Sequence, residues 1–139
     1  MTQALCTRIF ARMFTAVTHH IHVEVQPSYV PEQSDPRQNH YFFAYRVRIR
    51  NSGERQVQLL SRHWIIKDAF GKTEEVMGPG VVGLQPTLKP GEIFEYSSFC
   101  PLSTPTGSMH GTYLMRDSAG TQIEVEIPLF ILSEPSHYH

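Results

Sequence analysis

Between residues 41 and 50, apolar and polar side chains alternate almost one by one along the chain. The apolar set comprises Tyr41, Phe43, Tyr45, Val47 and Ile49. The opposite set ends in three arginines, Arg46, Arg48 and Arg50. Because successive side chains of a β-strand point to opposite faces of a sheet, this pattern predicts a strand with one buried face.

The same period of two recurs along most of the chain, in segments that glycine and proline separate. Further strands are predicted at residues 21–25, ending at Pro27, and at residues 57–68, 73–77, 93–100, 111–116 and 121–127. Lys89-Pro90-Gly91-Glu92 has the composition of a type II turn. No helical period of useful length follows residue 20. The prediction is therefore an all-β fold, an immunoglobulin or fibronectin type III-like two-sheet sandwich of antiparallel strands.

The length of 139 residues fits one domain. We predict an N-terminal extension at residues 1–17, the sandwich domain at 18–133 and a tail at 134–139. In the extension, apolar residues from Leu5 to Val17 fall at helical spacing, and two arginines but no acidic residue accompany them. Three interpretations stay open: a mitochondrial presequence, a frayed terminus, or a start codon placed too early, with Met13 as the true start.

Net charge limits the classes of partner. The formal charge is -1, whereas a broad electrostatic grip on nucleic acid or an anionic membrane needs a basic excess. Glu124 and Glu126 are expected to neutralise the row of three arginines across a sheet. We therefore expect no nucleic-acid partner, and no apolar run reaches the roughly 18 residues of a membrane span.

The two cysteines, Cys6 and Cys100, are poorly placed for an immunoglobulin-type disulfide, because Cys6 precedes the first convincing strand. We interpret both as free thiols, which favours a reducing compartment and hence the cytoplasm.

A glycine-rich segment, Gly78-Pro79-Gly80-Val81-Val82-Gly83, matches the GxGxxG pattern of dinucleotide-binding folds. In those folds the motif opens a helix, but two valines and two nearby prolines oppose a helix here. One interpretation is a loop whose glycines allow positive φ or close packing. The other is a nest of backbone amides at Gly78, Gly80, Val81, Val82 and Gly83 that binds phosphate.

Arg62 and His63 are candidates for the same anion site, since they lie in a predicted central strand. Alternation places Arg62 on the face of Trp64, which is expected in the core, and His63 on the opposite face. A structural ion pair is the alternative role for either side chain.

Other chemistry finds little support. His20 and His22 share a predicted strand face, but two histidines alone do not define a metal site, and no zinc-type cysteine spacing exists. Cys100 lies in an apolar strand before Pro101, without a nucleophile motif. We predict no catalytic residues, no metal site and no cofactor.

Many of these segments resemble the ApaG family (the DUF525 domain) over about residues 20–132. Those in the first half are Ser34-Asp35-Pro36, Tyr41-Phe42-Phe43-Ala44-Tyr45, Leu60-Ser61-Arg62-His63-Trp64-Ile65-Ile66, Gly80-Val81-Val82-Gly83, Gln85-Pro86 and Leu88-Lys89-Pro90-Gly91. Those in the second half are Phe94-Glu95-Tyr96-Ser97-Ser98, Pro101-Leu102, Thr104-Pro105, Gly107-Ser108-Met109, Gly111-Thr112-Tyr113 and Ile127-Pro128-Leu129-Phe130.

The resemblance implies a fibronectin type III-like sandwich. Relatives occur as lone bacterial proteins and as domains of F-box and polymerase-interacting proteins, where they are thought to mediate protein contacts. The resemblance also implies a link to cobalt and magnesium efflux. It further implies that the glycine loop binds pyrophosphate. Pro79 departs from that loop pattern, because proline stiffens the loop and removes an amide donor.

The preferred function is a non-enzymatic binding domain for an unidentified protein partner. Its basis is the missing catalytic constellation and the apolar run at residues 129–132, which either covers the core or forms an interface with a partner or with a second copy in a homodimer. The alternative function is binding of a small phosphate- or pyrophosphate-containing anion at loop 78–83, and an enzyme is the third hypothesis.

Overall fold

The structure, a computed structural model, describes residues 12–138. Within them the chain forms nine strands joined by turns and by three short 3-10 segments. The strands are β1 (Phe14–Thr18), β2 (Ile21–Tyr29), β3 (Tyr41–Asn51), β4 (Val57–Asp68), β5 (Thr73–Pro79), β6 (Thr87–Leu88), β7 (Ile93–Leu102), β8 (Thr106–Asp117) and β9 (Gln122–Ser133). The 3-10 segments are Pro31–Gln33, Pro36–Gln38 and Pro135–Tyr138.

Two antiparallel sheets pack face to face. The first sheet has the strand order β1-β2-β3-β7, and the second has the order β5-β4-β8-β9, with β6 paired to the start of β4. Every strand pair is antiparallel. The predicted all-β, two-sheet antiparallel sandwich of immunoglobulin-like type is confirmed.

The core lies between the sheets and follows the alternation in the sequence. All five apolar side chains at the odd positions of β3 are buried, while the three arginines are exposed. Trp64 from the second sheet contacts two rings, with centroid distances of 5.4 Å to Tyr45 and 5.9 Å to Phe130. Each large apolar side chain buried in this way stabilises the fold by about 1.5–3 kcal/mol, which is why the period of two sets the fold.

The prediction that Pro27 ends the first strand is wrong. Pro27 lies inside β2, where it is paired with Tyr45 of β3. On its other side Pro27 has no neighbouring strand in the described part of the chain, because the pairing of β1 with β2 begins only at Phe14 and Val25. Proline lacks an N–H and is tolerated where no neighbouring strand needs one.

The helical spacing expected near the N-terminus also fails where it can be tested. Phe14–Thr18 is strand β1, so ordered structure begins four residues before the predicted start of the sandwich domain. β1 pairs with β2 through a two-residue turn at His19 and His20, both with positive φ, and Phe14 packs at 6.3 Å from Phe130. Residues 1–11, including Cys6, lie outside the described residues.

The predicted turn and hairpin signals are confirmed. Gly91 has a φ of +89°, and the Glu92 N–H donates to the Lys89 carbonyl, as a type II turn requires. β8 and β9 form the predicted hairpin around the Asp117 carboxylate, which accepts hydrogen bonds from two amides of the turn. The apolar run at residues 129–132 continues β9; it sends Phe130 and Leu132 into the core and leaves Leu129 and Ile131 exposed.

Candidate functional site

The glycine-rich segment forms a closed hairpin that follows a strand and precedes no helix. Val81 and Leu84 exchange two hydrogen bonds of 2.8 Å, so Val82 and Gly83 form a two-residue tip, with φ values of 43° and 81°. Positive φ at both tip residues is the signature of a type I′ turn. Val81 is fully buried, so the hairpin is anchored in the core.

Three backbone amides of this hairpin, those of Gly80, Val81 and Leu84, are already engaged. The Gly80 N–H donates to the Leu60 carbonyl and the Val81 N–H donates to the Leu84 carbonyl, both at 2.8 Å. Pro79 has no N–H. Among the described hydrogen bonds, none uses the N–H of Val82 or Gly83, so the folded loop offers an anion two amides at its tip.

Arg62 holds the base of the hairpin. Its Nη1 donates to the carbonyl oxygens of Pro79 and Gly80, each at 2.9 Å. The guanidinium lies against Gly78, where an added Cβ would come within 3.1 Å of both terminal nitrogens. The structure thus places Arg62 against the loop, with its charge directed at carbonyls of the loop itself.

His63 does not join this group. Alternation along β4 turns its ring away from Arg62, and its Nε2 lies 3.0 Å from the Glu75 carboxylate on β5. Both partners are substantially exposed, so this pair contributes at most about 1 kcal/mol to stability.

Beneath Arg62, three tyrosines and a cysteine form a buried polar cluster. The hydroxyls of Tyr96 on β7 and Tyr113 on β8 lie 2.5 Å apart and link the two sheets by a hydrogen bond. Burial raises the pKa of Tyr113, Tyr96 and Tyr45, while the nearby Arg62 charge opposes each shift. Burial also raises the pKa of the Cys100 thiol to about 11. A thiol that stays protonated at neutral pH is a poor nucleophile.

The expected neutralisation of the arginine row by Glu124 and Glu126 is wrong, because those residues belong to β9 in the other sheet. Arg48 instead faces Glu24 on β2 and lies 3.5 Å from the Glu95 carboxylate on β7.

The other two arginines of the row have no acidic neighbour across the sheet. The register places Arg46 between Gln26 and Ser97, and Arg50 between His22 and Ile93. Neither arginine has an ion pair among residues 12–138.

The outer face of the same sheet carries an exposed aromatic patch at one end, which the sequence analysis does not predict. The rings of Phe42 and Phe99 stack with centroids 5.2 Å apart, and the register places Pro101 opposite Phe42 and Ala44 opposite Phe99. We call these four residues the Phe42–Phe99 patch. Phe99 is 55% exposed although it is a large apolar residue in regular structure. The alternation of β7 shows that Phe99 faces outward, but its pairing with β3 cannot be read from the sequence.

Two further features bear on ligands. A cleft of about 460 Å³ lies at one end of the sandwich, between the turns that hold His20, Gly53 and Asp117. The predicted His20 and His22 pair does not share a strand face, since His20 lies in the β1–β2 turn. In residues 12–138 no three side chains of His, Cys, Asp or Glu are grouped to bind a metal ion.

Between residues 12 and 138, no helical segment has the length and apolar character needed to cross a bilayer.

Known proteins resemble this chain in sequence and fold. The family model of the ApaG domain (DUF525) matches residues 31–117. Protein ApaG of Paramagnetospirillum magneticum is 53% identical over 123 residues, which cover 88% of this chain and 95% of that protein. The crystal structure of the putative ApaA protein from Bordetella pertussis superposes with a TM-score of 0.81 at 55% identity, covering 83% of this chain and 94% of that one.

Proposed function

Because this chain belongs to the ApaG (DUF525) family, we propose that it is a non-enzymatic binding domain and that its ligand is another protein. The observation that carries the proposal is the Phe42–Phe99 patch. Aromatic side chains and arginine are enriched at protein interfaces, and a contiguous apolar patch with a polar rim marks such a site. Phe42 and Phe99 provide the apolar centre, and Arg46 lies next to it on the same face.

Rigidity supports this role for the patch. Both rings project from the backbone of paired strands, and each supports the other by stacking, so little side-chain entropy is lost when a partner covers them. Rigid aromatic anchors of this kind dominate binding energy in many interfaces.

The charge of Arg46 indicates which groups the partner surface carries. Arg46 is exposed and without an ion pair among the described residues, whereas Arg48 is already matched by Glu95. The partner surface is therefore expected to carry apolar side chains beside a carboxylate.

The test compares partners captured by the wild-type protein with those captured by a Phe42→Ser/Phe99→Ser variant. Met77→Ser is the matched control, because Met77 is 70% exposed and lies on β5 in the second sheet, whereas the patch lies on the first sheet. We expect one protein to bind the wild type and the control and to lose at least tenfold in affinity for the double variant.

The thermal unfolding midpoint of each variant must be measured in parallel, so that loss of binding is separated from loss of fold. A partner that binds the double variant as tightly as the wild type would overturn the proposal.

A further inference from the structure

Strand β7 has an open backbone edge. The Asn51 N–H donates to the Glu92 carbonyl, and the register continues without a shift to Leu102, so the even-numbered residues of β7 bond to β3. The N–H and C=O groups of Ile93, Glu95, Ser97 and Phe99 consequently point away from β3. Among residues 12–138 no hydrogen bond reaches these groups.

The other outer strands are guarded in ways that β7 is not. β9 is covered by β1, since the Glu126 N–H donates to Thr18 Oγ1 and the Phe14 ring packs near Phe130. β5 is shorter, carries two adjacent glutamates and ends at Pro79. β7 spans ten residues with one charged residue, Glu95. Long, weakly charged edges invite pairing with another strand.

We propose that a second copy of this chain pairs with this edge, β7 against β7 in antiparallel orientation, with the two-fold axis at Tyr96. In this register Ile93 lies opposite Phe99 of the second copy, and Glu95 lies opposite its Ser97. Each of the four opposed pairs exchanges two backbone bonds, about eight in all. The two first sheets then form one continuous sheet of eight strands.

The exposed side chains of β7 are complementary in this register. Ile93 and Phe99, which are 42% and 55% exposed in the single chain, cover each other at both ends of the contact. Glu95 of one copy lies beside Ser97 of the other, and behind Ser97 lies Arg46. The two Cα atoms of Glu95 and Arg46 are then about 10 Å apart across two strand spacings, a gap that the two side chains can bridge.

Neighbouring registers lack this match. With the axis at Glu95, two carboxylates would face each other directly, which is destabilising. With the axis at Ser97, Ile93 would lie opposite Pro101, which has no N–H to donate. The side chains of β7 therefore favour the axis at Tyr96.

Sedimentation equilibrium of the purified chain over a range of concentrations tests the proposal. We expect a monomer–dimer equilibrium, with the amides of Ile93, Glu95, Ser97 and Phe99 exchanging hydrogen more slowly as concentration rises. Ser97→Pro should weaken the dimer at least tenfold. The Ser97 N–H has no intramolecular acceptor, so this change removes no bond to β3.

A charge swap guards against a variant that merely fails to fold. Glu95→Arg alone should weaken the dimer at least tenfold, and adding Arg46→Glu should restore it to within about threefold. Glu124→Arg is the matched control, because it makes the same charge change on β9, outside the contact.

Three outcomes overturn the proposal: a wild-type chain that stays monomeric at roughly 1 mM, a dimer that neither Ser97→Pro nor the charge swap affects, or an edge that takes up only a foreign peptide. The dimer covers Phe99 and engages Arg46, which the Phe42–Phe99 patch also offers to a protein partner, so the two contacts compete for these residues. Ser97→Pro separates them, because it weakens the dimer and leaves the side chains of the patch in place.

Discussion

Gly80 is the position in the glycine-rich loop where a side chain is least tolerable. An added Cβ would collide with the Leu84 carbonyl oxygen, and its φ of +62° is unfavourable for other residues. Gly83, at the tip of the same hairpin, has a φ of +81° but open space around its Cβ position. Comparing substitutions at these two positions therefore distinguishes the cost of a steric clash from the cost of backbone strain alone.

We predict that Gly80→Ala lowers the free energy of unfolding by about 3 kcal/mol or more, whereas Gly83→Ala costs about 1 kcal/mol. Urea unfolding of both variants measures the difference. Equal losses at the two positions would contradict the hairpin geometry described here.

Arg62 and His63 are neighbours in sequence with different roles in stability. Arg62→Ala should cost about 1–2 kcal/mol, because two carbonyl oxygens lose a charged donor and Gly78 loses the guanidinium packed on it. His63→Ala should cost no more than about 0.5 kcal/mol, since its ion pair with Glu75 is exposed. Denaturant midpoints of the two variants check this order; the reverse order would show that the Arg62 contacts contribute little.

At the scale of the element, the Val81–Leu84 hairpin bears on the anion-binding alternative. A phosphate nest would need the amides of Gly80 and Val81, which already donate at 2.8 Å to Leu60 and Leu84. Titrating pyrophosphate to millimolar concentration, with sodium chloride at matched ionic strength as control, should leave these two amide resonances unshifted. Any response should be confined to Val82 and Gly83. Saturable shifts at Gly80 and Val81 would instead support the anion-binding alternative.

The strands that could be predicted are those in which local chemistry and burial agree. Burial alternates without interruption along β3, and the turn at Lys89–Glu92 needs only the fixed φ of proline and the positive φ of glycine. The continuation of β2 through Pro27 depends on where β1 ends, a tertiary fact that no local rule contains.

The candidate site was predicted less completely than the fold. The residues of the loop and Arg62 do lie together, but whether an amide is free depends on its partner, and Leu60 is some twenty residues from Gly80. The Phe42–Phe99 patch likewise arises from the pairing of β3 with β7, which are far apart in sequence. Alternation shows which side chains face out, but it does not show which strands lie side by side.

For the whole molecule, the buried acids make stability fall in alkali. The Cys100 thiol has an ordinary pKa of 9.0 and a folded value of about 11, so above pH 9 the unfolded chain releases a proton that the folded chain keeps. Its contribution is complete below pH 9 and decreases up to about pH 11, by roughly 3 kcal/mol for a shift of about two pKa units. The tyrosines, whose pKa values are also raised, extend the loss to higher pH.

The measurement is the urea midpoint at several pH values from 8 to 11, for the wild type and for Cys100→Ala. The variant should be less stable at pH 8, because it leaves a small cavity, but its stability should decline less steeply between pH 9 and pH 11. Parallel curves would exclude Cys100 as a source of the alkaline loss.

Along one side of the sandwich, β1 lies against β9 and joins the first sheet to the second. Along the opposite side, formed by β7 and β5, no hydrogen bond joins these two strands within residues 12–138. Transient separation of the two sheets should therefore begin between β7 and β5 and spread toward β1 and β9. The hydrogen bond between the Tyr96 and Tyr113 hydroxyls opposes that separation, because it joins β7, the outermost strand of the first sheet, to β8 in the middle of the second.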